Sequence, residues 1–477
     1  MRFVGRTAQM RQLATELDRV SSSGQGTMLS VRGRRQVGKS RLLTELVDAC
    51  GLPHVFFTAI KGANTAQQLQ ALRADVFAAE RQVPEAATLF ASAPVDWRDA
   101  LGRLRLAADQ GPVVVVLDEI PWAIEADATF EGRLQAAWDR HLQHLPVLLV
   151  LVGSDLAMMA RLVEHGRPLY GRARELVIHP FNPAECASAL GRTTSAMTAF
   201  DAYLVTGGYP RLVEQLHRHG RVAAYMKHGL ADENTDLVVM AQRSLDAEFP
   251  PDAQARRVLT AIGGHEIGHS TFSSAVGRLP ESGKAAETAV TRALSLLSAA
   301  GVVTVETPVG ARPSSRLKRY RINDPYLRLW FRFAEPHLAS LARGRADLAV
   351  SAWAAGWASW RGVAIESVVH DALLRLAPSL PALAGIDEVG SWWNRDHSRE
   401  VDVVGARRGR VRMIGTIKWR DRRRLRSDEV DELARARGVV PGAASAGLLA
   451  VCPPGLGPRA TPDVLLDAED LLAAWPR

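Results

Sequence analysis

Gly33-Arg34-Arg35-Gln36-Val37-Gly38-Lys39-Ser40 fits the pattern G-x-x-x-x-G-K-[ST], whose residue types and spacing suit the gripping of phosphate. The glycines let backbone N–H groups turn toward a β-phosphate, and a helix starting at the loop adds partial positive charge. Lys39 would reach the β- and γ-phosphates, and the Ser40 hydroxyl would bind Mg²⁺. Arg41 completes the segment that would touch the nucleotide. The alternative is a chance match inside a glycine-rich turn. Val113-Val114-Val115-Val116-Leu117-Asp118-Glu119 is a second constellation, an apolar run ending in two carboxylates. Asp118 would hold the metal's hydration shell opposite Ser40, and Glu119 would orient and deprotonate an attacking water. An acidic helix cap after a buried strand is the plainer reading of this run taken alone. Together the two stretches predict a site for a nucleoside triphosphate with Mg²⁺.

Both stretches need a frame that brings them to one edge. Thr27–Val31 before the glycine loop reads as a buried strand, and Arg41–Val47 after it as an amphipathic helix. Further strands are expected at His54–Thr58, Val113–Leu117 and Val147–Val152, with helices at Thr65–Glu80 and Phe130–Leu142. The strands are apolar throughout rather than alternating, as in a parallel sheet covered by helices on both faces. In such sheets ligands bind at the carboxyl ends of the strands, where the glycine loop and Asp118 would both lie. A second unit pairs helices at Arg256–Ile262 and Glu287–Ala300 with strands at Gly301–Val305 and Leu317–Ile322. Helices followed by a β-hairpin suggest a winged helix. A third unit begins near Ser359 with a helix at Gly362–Leu374 and strands at Val401–Val404 and Val411–Ile417. The expected fold class is α/β, a parallel sheet with a phosphate-binding glycine loop, then a winged helix and a small α/β domain; the family resemblance given next makes the first part a P-loop NTPase sheet with a helical lid. Its domains run 1–235, 250–335 and 359–477.

The motifs along the N-terminal half resemble those of archaeal-type ATPases in the P-loop NTPase superfamily, close to the AAA+ and STAND groups. Phe3-Val4-Gly5-Arg6 resembles the entry motif beside the adenine, so Val4, Gly5 and Arg6 join the nucleotide-contacting candidates. Asp118-Glu119-Ile120-Pro121-Trp122 matches the Asp-Glu-x-Pro-aromatic form. Gly153-Ser154 resembles the sensor position that reads the γ-phosphate, although Ser154 also suits a helix N-cap for Leu156–Leu162. Pro168-Leu169-Tyr170-Gly171-Arg172 resembles the "PLYGR" element. There Arg172 would bring positive charge to the reacting phosphate, from its own subunit or a neighbouring one. Arg174 is the rival for that role, and a surface ion pair the plain alternative for Arg172. Thr206-Gly207-Gly208-Tyr209-Pro210 resembles the Gly-Gly-x-Pro segment of the lid, or is an ordinary helix C-cap. Tyr320–Phe331 resembles the segment after the winged helix. The resemblance implies ATP and Mg²⁺ as cofactors, ATP hydrolysis, and self-assembly as an allowed state.

The C-terminal unit resembles a domain related to PD-(D/E)xK nucleases. Glu366 matches the helix glutamate, Glu400-Val401-Asp402 the "EVD" strand, and Gly415-Thr416-Ile417-Lys418-Trp419 a strand that usually reads Gly-Glu-Cys-Lys-Trp. Thr416 stands where a metal-binding carboxylate is expected, and a hydroxyl is a much poorer Mg²⁺ ligand. The expectation is a unit that no longer cleaves nucleic acid.

The chain of 477 residues carries a net charge of +8. Between Arg395 and Arg426 there are twelve Arg or Lys against four Asp or Glu, an excess as large as that of the entire chain. Such a segment attracts phosphate backbones, unless it is merely a solvated face. DNA is the expected partner, through this segment and through the winged helix. There Arg292 lies on the recognition helix and Arg312, Arg316, Lys318 and Arg319 on the wing. The bland alternative is a winged helix that serves only as a regulatory joint. Three scattered cysteines, Cys50, Cys186 and Cys452, exclude a disulfide framework or zinc motif and fit a reducing cytoplasm. No secretory leader is visible, and the longest apolar run, Leu145–Val152, is too short to span a bilayer, so no membrane partner is expected. The leading reading is an Mg²⁺-dependent ATPase acting as a nucleotide-driven switch. A DNA-directed nuclease effector gated by ATP, and a DNA-binding regulator with structural ATP, are the rivals.

Overall fold

Five strands build the frame that the glycine loop requires: β1 (Thr27–Arg32), β2 (His54–Thr58), β3 (Val113–Asp118), β4 (Val147–Gly153) and β5 (Ala173–Val177), the first four of them largely buried. A computed structural model describes residues 3–191, 193–249, 253–264, 270–312 and 316–476. It divides into two compact units, Met1–Pro180 and Phe181–Arg477. In the first, the five strands form one sheet in the order β2-β3-β4-β1-β5, and every pair is parallel. Four of these strands were legible as apolar runs. β5 was not, because Ala173-Arg174-Glu175-Leu176-Val177 is an edge strand with only Leu176 buried. Helices Thr65–Ala78, Trp97–Ala108 and Phe130–Arg140 contribute to a common core with the strands. Trp97 anchors this core, edge-on to Phe130 at 4.8 Å and to Phe57 at 5.9 Å between ring centroids. The strand order places β4 between the loop-bearing β1 and the carboxylate-bearing β3. Whatever follows β4 therefore stands between the two constellations.

The second unit opens with helices Pro183–Leu190, Ala196–Thr206, Pro210–His219 and Val222–Gly229. Then come helices Gln254–Gly263 and Gly283–Ala299 with a small antiparallel sheet. Its strands are β6 (Ser270–Thr271), β7 (Val303–Glu306) and β8 (Arg319–Ile322), in the order β6-β8-β7. The helix expected at Gly362–Leu374 is longer and spans Ala346–Leu376. The added stretch is alanine-rich, and Trp353, Trp357 and Trp360 recur at helical spacing and contact one another at 5.7–5.8 Å. The last sheet contains β9 (Glu388–Trp393), β10 (Glu400–Arg407), β11 (Arg410–Ile417), β12 (Gly447–Val451) and β13 (Val464–Leu466), in the order β13-β12-β11-β10-β9. Phe200, Ile365, Val369 and Trp475 belong to the core that includes Val403 and Met413, whereas Val430 and Leu433 join Val404 and Ile414. Apolar cover on both faces explains why β10 and β11 read as apolar runs. No helix among the described residues is long and apolar enough to cross a membrane.

Candidate functional site

The glycine loop turns where only certain residues turn easily. Gly38 sits at φ 90° as the N-cap of helix Lys39–Cys50, a conformation that costs a side-chain-bearing residue. Gly33 is a close-approach glycine, since a Cβ there would lie 2.3 Å from the Ile178 carbonyl oxygen. Val37 is fully buried and pins the loop's middle. Arg34 is half-buried, while Arg35, Gln36 and Ser40 are exposed. Arg41 is exposed too and pairs with Glu45 one turn on at 3.3 Å. Lys39 is 6% exposed, and its Nζ donates to the carbonyls of Gly33 at 2.8 Å and Arg34 at 3.1 Å. Burial lowers its pKa from the usual lysine value, opposed by Glu119 and Asp118 and aided by Arg35.

The two constellations meet. Ser40 Oγ donates to Asp118 Oδ2 at 2.6 Å, across 78 residues of sequence. Asp118 Oδ1 accepts the Glu119 N–H at 2.8 Å. Glu119 holds a left-handed backbone, φ 50°, and its Oε2 accepts from Ser154 Oγ at 3.0 Å. Ser154 follows directly on β4, so the strand order explains this contact. Ser154 is not the N-cap of helix Leu156–Leu162; Asp155 is, accepting the Met158 N–H at 2.8 Å. Seven non-glycine residues among those described have positive φ, and three of them, Arg6, Gln36 and Glu119, belong to this site. Such strain persists where the surroundings over-determine it, which marks the site as a built one.

Val4 is half-buried and Gly5 turns at φ 72°. Arg6 is 2% exposed and donates to the Val37 carbonyl at 2.7 Å and the His179 carbonyl at 2.6 Å. It thus ties the loop to the chain beyond β5. His179, unnoticed in the sequence, has its pKa lowered by burial and by Arg6 and Arg32. Arg172 makes a two-pronged pair with Asp139 at 2.7 and 2.8 Å, and Asp139 in turn is held below the ordinary carboxylate range by it. Arg174 is paired with Glu16 at 2.7 Å. The partners Asp139 and Glu16 carried no sequence signal, being ordinary acidic residues on amphipathic helices. Ser40 and Asp118 offer two converging hard oxygens, which fits Mg²⁺, an ion that keeps several waters and takes the rest of its shell from phosphates.

Elsewhere, the second unit shows what became of the other motifs. Gly207 is the C-cap of helix Ala196–Thr206, and Tyr209 donates to Asp324 at 2.7 Å, so the Gly-Gly-Tyr-Pro and Asn-Asp-Pro segments form one joint. Arg319 is withdrawn from solvent at 4% exposed. It grips Glu400 at 2.6 and 3.0 Å and lies 4.0 Å from the Trp393 ring, so it is not a phosphate contact as expected for the wing. Arg420 and Arg423 turn to Glu429, and Arg426 to Asp428. Where the nuclease resemblance expects a metal, Asp402 Oδ2 accepts from Thr416 Oγ at 2.9 Å and from the Ile417 N–H at 2.7 Å. Burial, with Asp402 and Glu400 nearby, pushes the Glu366 carboxyl well above its usual range. Among the described residues no group of three His, Cys, Asp or Glu side chains is placed to hold a metal ion. A catalytic divalent cation does not fit this second location.

Comparison with known proteins agrees with the frame. Residues 2–152 match the family described as AAA ATPase domain, and residues 330–432 match the one described as Archaea bacterial proteins of unknown function. The chain is similar to an uncharacterized protein of Methanocaldococcus jannaschii, 21% identical over 438 residues, which cover 91% of this chain and 90% of that one. Similar solved structures include the Walker-type ATPase of Pyrococcus abyssi, with 17% identity and TM-score 0.47, covering 69% of this chain and 96% of that one. The ORC2 protein of Aeropyrum pernix, in ADPNP–ADP complexes, has 15% identity and TM-score 0.44, covering 74% and 96%. The chain thus carries an AAA ATPase domain of the P-loop type, joined to a segment shared with archaeal and bacterial proteins of unknown function.

Proposed function

We propose that this protein is an Mg²⁺-dependent ATPase that works as a nucleotide-driven switch coupled to nucleic-acid binding. The observation that carries the reading is the 2.6 Å contact between Ser40 and Asp118, which joins the glycine loop to the strand-end carboxylates. The loop N–H groups and Lys39 would grip the β- and γ-phosphates; to do so Lys39 must exchange its two loop carbonyls for phosphate oxygens. Ser40 and Asp118 would hold Mg²⁺, which would supply charge neutralisation on the phosphate oxygens. Glu119 takes the proton of the attacking water, and Ser154 fixes the direction of its carboxylate. Arg172 would offset the charge that develops on the transferred phosphoryl group, in its own subunit or across a homo-oligomer, after leaving Asp139. That pair is partly exposed, so water screens it and replaces its bonds when it opens.

The nucleic-acid part is supported by exposed cations that make no side-chain hydrogen bond or ion pair with other described residues. Arg292 on helix Gly283–Ala299 and Arg312, Arg316 and Lys318 around the hairpin, read as a winged helix, are exposed. So are Arg407, Arg408, Arg410 and Arg412 on the β10–β11 hairpin. The nuclease reading is disfavoured by the Thr416–Asp402 bond. The free cysteines support a reducing, cytoplasmic setting. ATP turnover tests the assignment. Lys39→Ala and Glu119→Gln are each expected to lower kcat by about 10²- to 10⁴-fold. Turnover equal to the parent in both variants refutes the ATPase assignment.

A further inference from the structure

We propose that the cavity beside β10 and β11 is a metal-independent phosphate site, which takes the terminal phosphate of a nucleotide or of a nucleic-acid strand. The cavity has a volume of about 460 Å³, within the range of small-molecule sites. Its charge is decided by which lining groups are already satisfied. Asp402 is satisfied by Thr416 and the Ile417 N–H, Glu400 by Arg319, and Glu429 by Arg420 and Arg423. Asp402 keeps its charge, because both of its donors are neutral, so Arg399, Lys418 and Arg435 stand against Asp402 and Glu432. Lys418 makes no side-chain hydrogen bond or ion pair with the described residues, although it lies near enough to Glu429 to help hold that carboxyl low. Among the described residues Arg435 donates only its Nε, to the Asp431 carbonyl at 3.2 Å. The remaining lining is therefore cationic and rich in free N–H donors, which is the chemistry of an anion site.

Phosphate is favoured over a carboxylate by the number of donors and by their spread over three side chains. The half-buried Trp392 lines the same cavity and offers a ring for a base next to the phosphate. Thr416 is what makes the site metal-free. It puts a neutral donor where a further carboxylate would stand, so the pocket holds one negative charge fewer to attract a cation or repel a phosphate. The same residue that removes nuclease chemistry thus converts the cavity to anion binding.

The proposal rests on the nucleic-acid coupling above only for the nature of its ligand. The full chain is used with Lys39→Ala, which silences the first phosphate site, in EDTA. The probes are a single-stranded oligonucleotide with a 5′-phosphate, the same oligonucleotide with a 5′-hydroxyl, and dTMP, followed by anisotropy. The phosphorylated strand is expected to bind about tenfold more tightly than the hydroxyl-ended one. Adding Lys418→Ala, or the exposed Arg399→Ala, should each erase most of that preference, with unchanged circular dichroism. Competition by dTMP at the strand's own affinity assigns the pocket to a free nucleotide, and its failure assigns the pocket to strand ends. Equal binding of the two strands, a preference that survives both variants, or a need for a divalent cation overturns the proposal. Loss of salt-dependent duplex binding with end-phosphate preference retained would instead remove the wider coupling and leave this site standing.

Discussion

Among the described residues Glu119 accepts a side-chain hydrogen bond from Ser154, and this pairing sets the first expectation. A carboxylate that must take a proton from water gains from a fixed direction, and a hydrogen bond to a charged group contributes about 1.5–3 kcal/mol. Ser154→Ala is therefore expected to lower kcat for ATP roughly tenfold or more while leaving KM within about twofold, because the residues proposed to grip the nucleotide are untouched. A fall in affinity with kcat unchanged would make Ser154 a binding residue instead. Lys39, Ser40, Asp118 and Glu119 were legible because their chemistry is written within short motifs. His179, Asp139 and Glu16 were not. Each acts through a partner 33 to 173 residues away, so their types and neighbours say nothing of the role.

At the scale of elements, the loop's shape depends on what packs beneath it. A Cβ on Gly33 would meet the backbone oxygen of Ile178, which cannot move without disturbing the chain after β5, and a backbone contact of 2.3 Å must be relieved. Gly33→Ala is thus expected to weaken ATP binding on the order of tenfold or more and to lower the first unit's melting temperature by several degrees. Equilibrium titration with a fluorescent ATP analogue and calorimetry check both. An unchanged affinity would show that the loop tolerates a shift there. Four strands of this sheet were readable as buried apolar runs, whereas its β5, and β9 and β13 at the two edges of the last sheet, were not, since their residues are only partly buried. Edge strands have one hydrogen-bonded neighbour and a solvent side, so their sequences lose the uniform apolar signature.

Within the second unit as a whole, Arg361 is a buried hub. It grips Asp201 of helix Ala196–Thr206 at 2.6 Å and Asp421 after β11 at 2.8 Å, so the lid-like helices and the last sheet share one ionic centre. Phe200 adds aromatic contacts to Trp419 at 5.2 Å and Trp475 at 6.0 Å. Burial raises the Asp201 carboxyl from 3.8 to about 6, against the opposing pull of Arg361. The fold thus favours its protonated form. Stability from this group is complete below pH 3.8 and is lost as pH rises through about 6. Relative to the parent, Asp201→Asn should gain stability between pH 4 and pH 7, on the order of 2 kcal/mol. Thermal melts at several pH values read the difference. A gap that is constant across that window would mean that Asp201 does not titrate there.

The sequence by itself determined the chemistry available and the backbone that supports it. Gly33 and Gly38, Lys39 and Ser40 meet their conformational and chemical needs within eight residues, and the buried parallel strands announce themselves by uniform apolar composition. Tertiary structure alone decided which charges remain available. Strand order brought Ser154 to Glu119, and folding withdrew Arg319, Arg420 and Arg423 into ion pairs while leaving Lys418 open. The physical reason is range. A turn or a buried strand depends on residues adjacent in the chain, whereas a charge is neutralised by whatever the fold places within a few ångströms of it.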